Sequence, residues 1–146
     1  MLFRSRCQLS VRGYELDSFG HVNHAVYIQY LEHARWELLI EEGVTLQTFQ
    51  KWKCWPVIAR VEANYLRPCF LDDKLEVRTR ITDQRLTRFA FHQEIYRGET
   101  RVFEGKIHSV MVNEQGRPAP IPAELAKSWG ISVPARGSSN RNREES

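Results

Sequence analysis

The chain has 146 residues and a mass of 17.2 kDa, the length of one ordinary domain, which on folding buries about 70 % of the unfolded surface. Hydrophobic residues make up 42 %, aromatic residues 11 % and charged residues 27 %, with eight Gly and six Pro, a composition that excludes collagen-like, low-complexity and wholly disordered chains. Lys plus Arg number 21 against 18 Asp plus Glu, and a balance of +3 with both signs interspersed speaks against a general nucleic-acid binder and leaves anionic small molecules open as partners.

Cys7, Cys54 and Cys69 are odd in number and far apart, with no C-x-x-C. That argues against a disulfide framework or a cysteine zinc site and for reduced core thiols. The segment Met1–Arg6 lacks the apolar run of a secretory signal, and no window approaches the ~18 apolar residues of a membrane helix. No membrane insertion and a cytoplasmic location are expected.

From Leu2 to Arg12 the chain alternates, with Phe3, Ser5, Cys7, Leu9 and Val11 on one side and Arg4, Arg6, Gln8, Ser10 and Arg12 on the other, which predicts a half-buried strand. From His24 to Glu42 the period changes. Tyr27, Leu31, Ala34 and Leu38 recur at helical steps, and Gly43 suits the C′ position. Alternation resumes over Val57–Tyr65, with Val57, Ala59, Val61, Ala63 and Tyr65 on one side, and again over Leu75–Ile81. Two further strands, Phe89–Arg97 and Thr100–Val112, flank the turn residues Gly98-Glu99. A short helix is expected over Ala123–Trp129 and a loose polar tail over 134–146, so the expected domain is 1–133. One strand, one long helix and four strands define an α+β fold: a curled antiparallel five-stranded sheet wrapped around one long central helix, with meander pairing among the last strands.

The densest cluster of reactive side chains is the stretch from Tyr14 to Tyr27, between the first strand and the long helix, with Asp17, His21 and His24 within eight residues. A helix start presents unpaired N–H groups and the positive end of the helix dipole. A carboxylate just before it therefore sits beside a place where developing negative charge is stabilised. Taken alone, Asp17 reads as a turn or capping residue.

The run Asp17-x-x-Gly20-His21-Val22-Asn23-His24-x-x-Tyr27, with Glu32 and Arg35 on the helix, Asn64-Tyr-Leu-Arg-Pro68 and Asp73-x-Leu75-x-Val77, resembles hotdog-fold thioesterases of the 4-hydroxybenzoyl-CoA thioesterase family. The resemblance spans about residues 3–115 and implies the hotdog fold, homodimers or homotetramers, and hydrolysis of acyl-CoA or acyl-carrier-protein thioesters without metal or organic cofactor. It implies that Asp17 is the catalytic base or nucleophile and that the main-chain N–H of His24 faces the thioester carbonyl. It also makes His21, Val22, Asn23 and Tyr27 candidates for substrate contact. Asn23-His24 combines features of two subgroups of the family, so the resemblance leaves the acyl group unspecified. A dehydratase or hydratase on the same fold and a non-catalytic acyl-binding protein are the alternatives.

Other readings stand beside these. His21 is either hydrogen-bonded within its loop or a wall of the substrate channel; Tyr27 and Tyr30 read first as core aromatics. Arg85 and Arg88 are either a phosphate-binding pair for CoA or a solvated turn. Glu32 and Arg35, three apart, read as a supporting ion pair. Trp52 and Trp55 read as a cover over the open end of the helix or an oligomer contact. Asp17, His21, His24 and His33 lack the spacing of a zinc helix, and no metal is expected.

Overall fold

The first alternating run forms β1 (Ser5–Ser10), with Ser5 and Cys7 buried and Arg6 and Gln8 exposed. A computed structural model describes residues 3–130; the tail expected over 134–146 lies outside the described residues. The helix follows as α1 (His24–Glu41), 18 residues against a mean of about 11–12. Asn23 caps it, its side chain accepting the N–H of Ala25 at 2.9 Å. Gly43 ends it in the left-handed conformation at φ 75°, the conformation a C′ glycine supplies without a Cβ penalty. The stripe Tyr27, Leu31, Ala34 and Leu38 is at most 4 % exposed.

A helix not expected from the sequence comes next, α2 (Leu46–Trp52), capped by Thr45, whose hydroxyl accepts the N–H of Thr48 at 3.3 Å. It carries Phe49 into the core, with the Trp52 ring edge-on to it. The strands are β2 (Cys54–Tyr65), β3 (Lys74–Thr82), β4 (Arg88–Arg97) and β5 (Thr100–Asn113). The short helix expected near the end is present as α3 (Ala123–Ser128), followed by Trp129, which packs against Phe89 and Phe91.

The five strands form one antiparallel sheet in the order β1-β3-β4-β5-β2, curled around α1 as expected. β3, β4 and β5 form the expected meander, but β2 pairs with β5 at one edge and β1 takes the place beside β3. The connection after β2 therefore crosses the ends of β5 and β4. Its eight residues, 66–73, reach up to about 26 Å when extended, ample for three strand spacings of about 4.8 Å.

The expected single-sided row on β2 is also corrected. The register slips between Ile58 and Arg60, a bulge that leaves Ala59 as the extra residue. Val57 is opposite Val110 on the convex face, while Ile58, opposite Ser109, and Val61, opposite Ile107, lie on the concave face. A bulge of this kind bends the strand and strengthens its twist.

On the concave face, Gln93 of β4 and Gly105 of β5 are direct partners. A Cβ built on Gly105 would lie 2.8 Å from Leu31 Cδ1, so the missing side chain is what lets α1 come this close. Gln93, fully buried, donates to the Leu31 carbonyl and to Thr79 Oγ1, each at 3.0 Å, and accepts from Arg35 at 3.0 Å. Gly105→Ala is therefore expected to lower stability by about 1–3 kcal/mol, read as a lower urea midpoint with an unchanged slope. An unchanged midpoint would mean that Leu31 moves aside at no cost.

Candidate active site

The 3-10 turn Gly13–Glu15 carries the chain from β1 into the reactive loop. Glu15, buried at 6 % exposure, organises it. Its carboxylate accepts from the Arg12 N–H at 2.8 Å, from the Arg12 guanidinium at 2.6 and 3.1 Å, and from the Tyr30 hydroxyl at 2.8 Å. Its carbonyl accepts the N–H of Asn23 at 2.9 Å. Burial pushes the Glu15 carboxyl up, but the bonds from Arg12 and Tyr30 outweigh it and hold the group below its ordinary value. The same contact, added to burial, pushes the Tyr30 hydroxyl up and keeps it protonated as a donor.

Beyond Glu15 the loop folds back as a small hairpin, with Leu16 bridged to Val22. Asp17 closes it. One carboxylate oxygen, Oδ1, accepts the N–H of Phe19 at 2.9 Å and of His21 at 3.1 Å, so the turn reading of Asp17 holds for that oxygen. Gly20 stands in the left-handed region at φ 85°, where a Cβ would be strained. The loop is fastened to the β2–β3 connection: Val22 N–H donates to the Cys69 carbonyl at 2.9 Å, and Cys69 N–H donates to the Tyr27 hydroxyl at 3.2 Å.

A cleft of about 320 Å³ opens here, and Asp17, His21, Val22, His24 and Tyr27 all line it, with Tyr65 and Arg67 across from them. Asn23, the remaining member of the motif, uses its side chain to cap α1. His24 is the first residue of α1, and its N–H has no acceptor among the described residues. Tyr65, which sequence reasoning left as a strand residue, donates its hydroxyl to the His24 carbonyl at 2.8 Å. Only the pairing of β2 with β5 brings it there. Tyr27 is a core aromatic as read, stacked on Phe103 with centroids 5.2 Å apart, and burial pushes its hydroxyl up. The His21 ring stands edge-on to Phe70 at 5.3 Å.

Arg85 and Arg88 line a different cleft, with Arg60 and His108 beside the β2 bulge, and it shares no lining residue with the Asp17 cleft. Glu32 and Arg35 do not form the expected ion pair. Arg35 turns to Gln93 and lies over the Phe91 ring at 5.6 Å, while Glu32 is exposed. Burial pushes the Arg35 guanidinium down to about 10, against the pull of the Glu32 charge. Among the described residues the donor atoms that converge as metal ligands would are those of His92, Glu94 and Glu104 on the opposite face, away from Asp17, His21, His24 and His33; Arg101 bonds Glu94 there at 2.9 Å. Cys7, Cys54 and Cys69 are buried and free. Trp55 lines an apolar cavity with Phe49, and no helix among the described residues is long and apolar enough to cross a membrane.

A five-stranded antiparallel sheet curled on one central helix is the hotdog fold. Residues 11–128 match the model of the thioesterase-like superfamily, and the chain belongs to that family. It is 30 % identical over 125 residues to the chloroplastic acyl-acyl carrier protein thioesterase ATL2 of Arabidopsis thaliana, covering 84 % of this chain and 66 % of the plant protein. The chain thus spans just under two thirds of that relative's length. It is 31 % identical over 117 residues to the acyl-CoA thioester hydrolase YbgC of Escherichia coli, covering 79 % of this chain and 87 % of that one. Among solved structures, a probable thioesterase from Bartonella henselae superposes with a TM-score of 0.76 at 30 % identity, over 81 % of this chain and 98 % of that one.

Glu15→Gln is expected to cost about 1.5–3 kcal/mol at neutral pH, the range for hydrogen bonds to a charged group. Because the folded pKa of Glu15 is depressed, its contribution is complete above the unfolded value of about 4.3 and is lost as pH falls through the folded value. The stability gap between wild type and Glu15→Gln, measured by denaturant unfolding, should therefore shrink as the pH is lowered below about 4. A gap independent of pH would show that Glu15 acts by shape alone.

Proposed function

We propose that the protein is a thioester hydrolase that cleaves an acyl-CoA or acyl-carrier-protein thioester to free acid and thiol. The observation that carries this reading is the meeting, in one cleft, of the Asp17 carboxylate and the acceptor-free first amide of α1. Attack on a thioester carbonyl creates a tetrahedral oxyanion, which fixed N–H donors at a helix start stabilise without reorganisation. The carboxylate supplies the other half. With Oδ1 held by two loop amides, Asp17 uses Oδ2 either to take the proton of an attacking water or to attack the carbonyl itself and pass the acyl group to water as an anhydride. The thiolate leaves, the free acid forms, and no metal or organic cofactor enters.

The superfamily match and the names of the relatives, one acting on acyl-carrier-protein and one on acyl-CoA thioesters, support the substrate class. His21, Val22 and Tyr27 wall the path of the thioester, and Asn23 acts by capping α1. Arg85 and Arg88 take the phosphates of CoA in their own cleft, which the long pantetheine arm separates from the thioester. Two copies join through the free edge of β2, in homodimers or, by further stacking, homotetramers; the twelve residues of that edge strand leave one side of main-chain groups unpaired. Three buried thiols kept free suit a reducing cytoplasm.

Asp17→Asn should lower kcat/KM at least ~10²-fold with the fold intact, measured as thiol release from acyl-CoA. Retained activity would remove Asp17 from the mechanism. His24→Ala should cost far less, since the amide and not the ring faces the carbonyl. Joint replacement of Arg85 and Arg88 by Ala should raise KM for acyl-CoA about ten-fold, the effect of about 1.4 kcal/mol, while leaving KM for the N-acetylcysteamine thioester of the same acid unchanged. An equal rise for both would place these arginines outside CoA recognition.

A further inference from the structure

Besides the Asp17 cleft, α1 borders a second opening, a cavity of about 500 Å³ over its C-terminal half, between α1, α2 and the start of β2. Trp36, Leu39, Phe49, Trp55, Ile58 and Phe91 wall it, and nothing in the chemistry above uses it. Its half-buried cation, Arg35, is already engaged by Gln93 and by the Phe91 ring, and its other polar side chains, Glu32 and Gln50, are exposed, so the interior offers little to a polar ligand and much to a hydrocarbon.

The two openings lie at the ends of one strip. α1 and β2 run antiparallel: Tyr65 bonds His24 at one end, and Ile58 and Leu39 share the cavity at the other. Between them the concave-face residues Ile58, Val61 and Tyr65 are 48 %, 44 % and 49 % exposed, whereas Ile107, Phe103 and Ile95 on the same face are at most 1 % exposed. On the helix, Ile28 lies one turn beyond His24 and one turn before Glu32, along the same side.

The strip has a length. Measured from His24, where an acyl carbonyl would meet the helix start, Arg35 is about 16 Å and Leu39 about 22 Å along the axis at about 1.5 Å per residue. An extended hydrocarbon advances about 1.25 Å per carbon, the projection of a bond of about 1.5 Å, so about 13–18 carbons reach the cavity. At about 30 Å³ for a water-sized group, its volume of about 500 Å³ holds about 17 such groups, more than the distal part of such a chain needs. Pairing of the β2 edge with a second copy uses main-chain groups in the plane of the sheet and leaves this row facing α1.

We propose that the strip and cavity bind the hydrocarbon part of a long unbranched acyl group, which makes long-chain fatty acyl thioesters the substrate class. The proposal rests on the thioesterase reading and adds the acyl group to it. An aryl group would end near His24 and leave the strip bare.

The test is a chain-length series of acyl-CoAs from four to eighteen carbons with wild type, Gln50→Trp and Leu46→Trp, since both residues are exposed at the cavity rim and a larger ring there fills it without entering the core. In wild type, kcat/KM should rise with length to at least fourteen carbons, and each variant should lower the ratio of long-chain to short-chain kcat/KM ten-fold or more. A flat series, or an equal loss at all lengths, overturns the proposal and leaves hydrolysis standing. Titration of palmitate into the same proteins, followed by calorimetry, separates the two readings: binding weakened by Gln50→Trp in a protein that hydrolyses nothing supports the cavity and removes the enzyme. Absence of palmitate binding overturns the proposal. So does a change from oligomer to monomer in Gln50→Trp by analytical ultracentrifugation, which would assign the cavity to a second copy of the chain.

Discussion

Where α1 rests on the sheet, a residue with no side chain faces one with a long polar side chain. Gly105 makes room for Leu31, and the opposite Gln93 takes hold of the Leu31 carbonyl. The glycine sets how near the helix comes, and the glutamine sets where along the strands it stops. A buried amide of this kind is stabilising only when its donors and acceptors are all matched, and here Thr79, Leu31 and Arg35 match them. Everything at the helix start inherits this placement, including the His24 amide, the Tyr65 contact and the cleft between them.

The reactive loop is held as firmly as the helix, by different means. Glu15 gathers Arg12, Tyr30 and the Asn23 amide, while both main-chain groups of Cys69 fasten the loop and Tyr27 to the far connection. With the framework borne by Glu15 and Cys69, Asp17 has only a local turn to close, and it does so with one oxygen. The turn and the chemistry proposed for Asp17 thus draw on different atoms of one carboxylate. Preorganisation of this sort is what lets a short polar loop act at a helix end without a cost in reorganisation.

Most of the scaffold was legible in the residue order because period is a local signal: the stripe from Tyr27 to Leu38 and the alternation of β1, β3, β4 and β5 each declare themselves within a dozen residues. The motif from Asp17 to Tyr27 was legible for the same reason, being continuous in the chain. What escaped was long-range or too short. Arg35 has a candidate partner three residues away in sequence and its actual one, Gln93, on β4, and spacing shows only the first. Glu15 looks like any loop acid until Tyr30 closes over it. Gln93 breaks an apolar row and gives no hint that the helix carbonyl above it needs a donor. α2 has too few turns for its period to register, and the pairing of β2 with β5 depends on a crossing that no local pattern records.

The bulge at Ala59 has a wider meaning. Val57, Ala59, Val61, Ala63 and Tyr65 read as an unbroken row, yet the extra residue reverses the sides for everything before it. Parity along a strand is a single bit of information, and here it is spent in the middle, so that both Ile58 and Tyr65 look toward the helix although an odd number of residues separates them in step. Loss of one residue at this point would leave the strand just as long and just as apolar in composition while turning Arg60, Glu62 and Asn64 toward α1 or carrying Pro56 and Ile58 away from it. The two ends of α1 are therefore kept in phase by one small residue that touches neither.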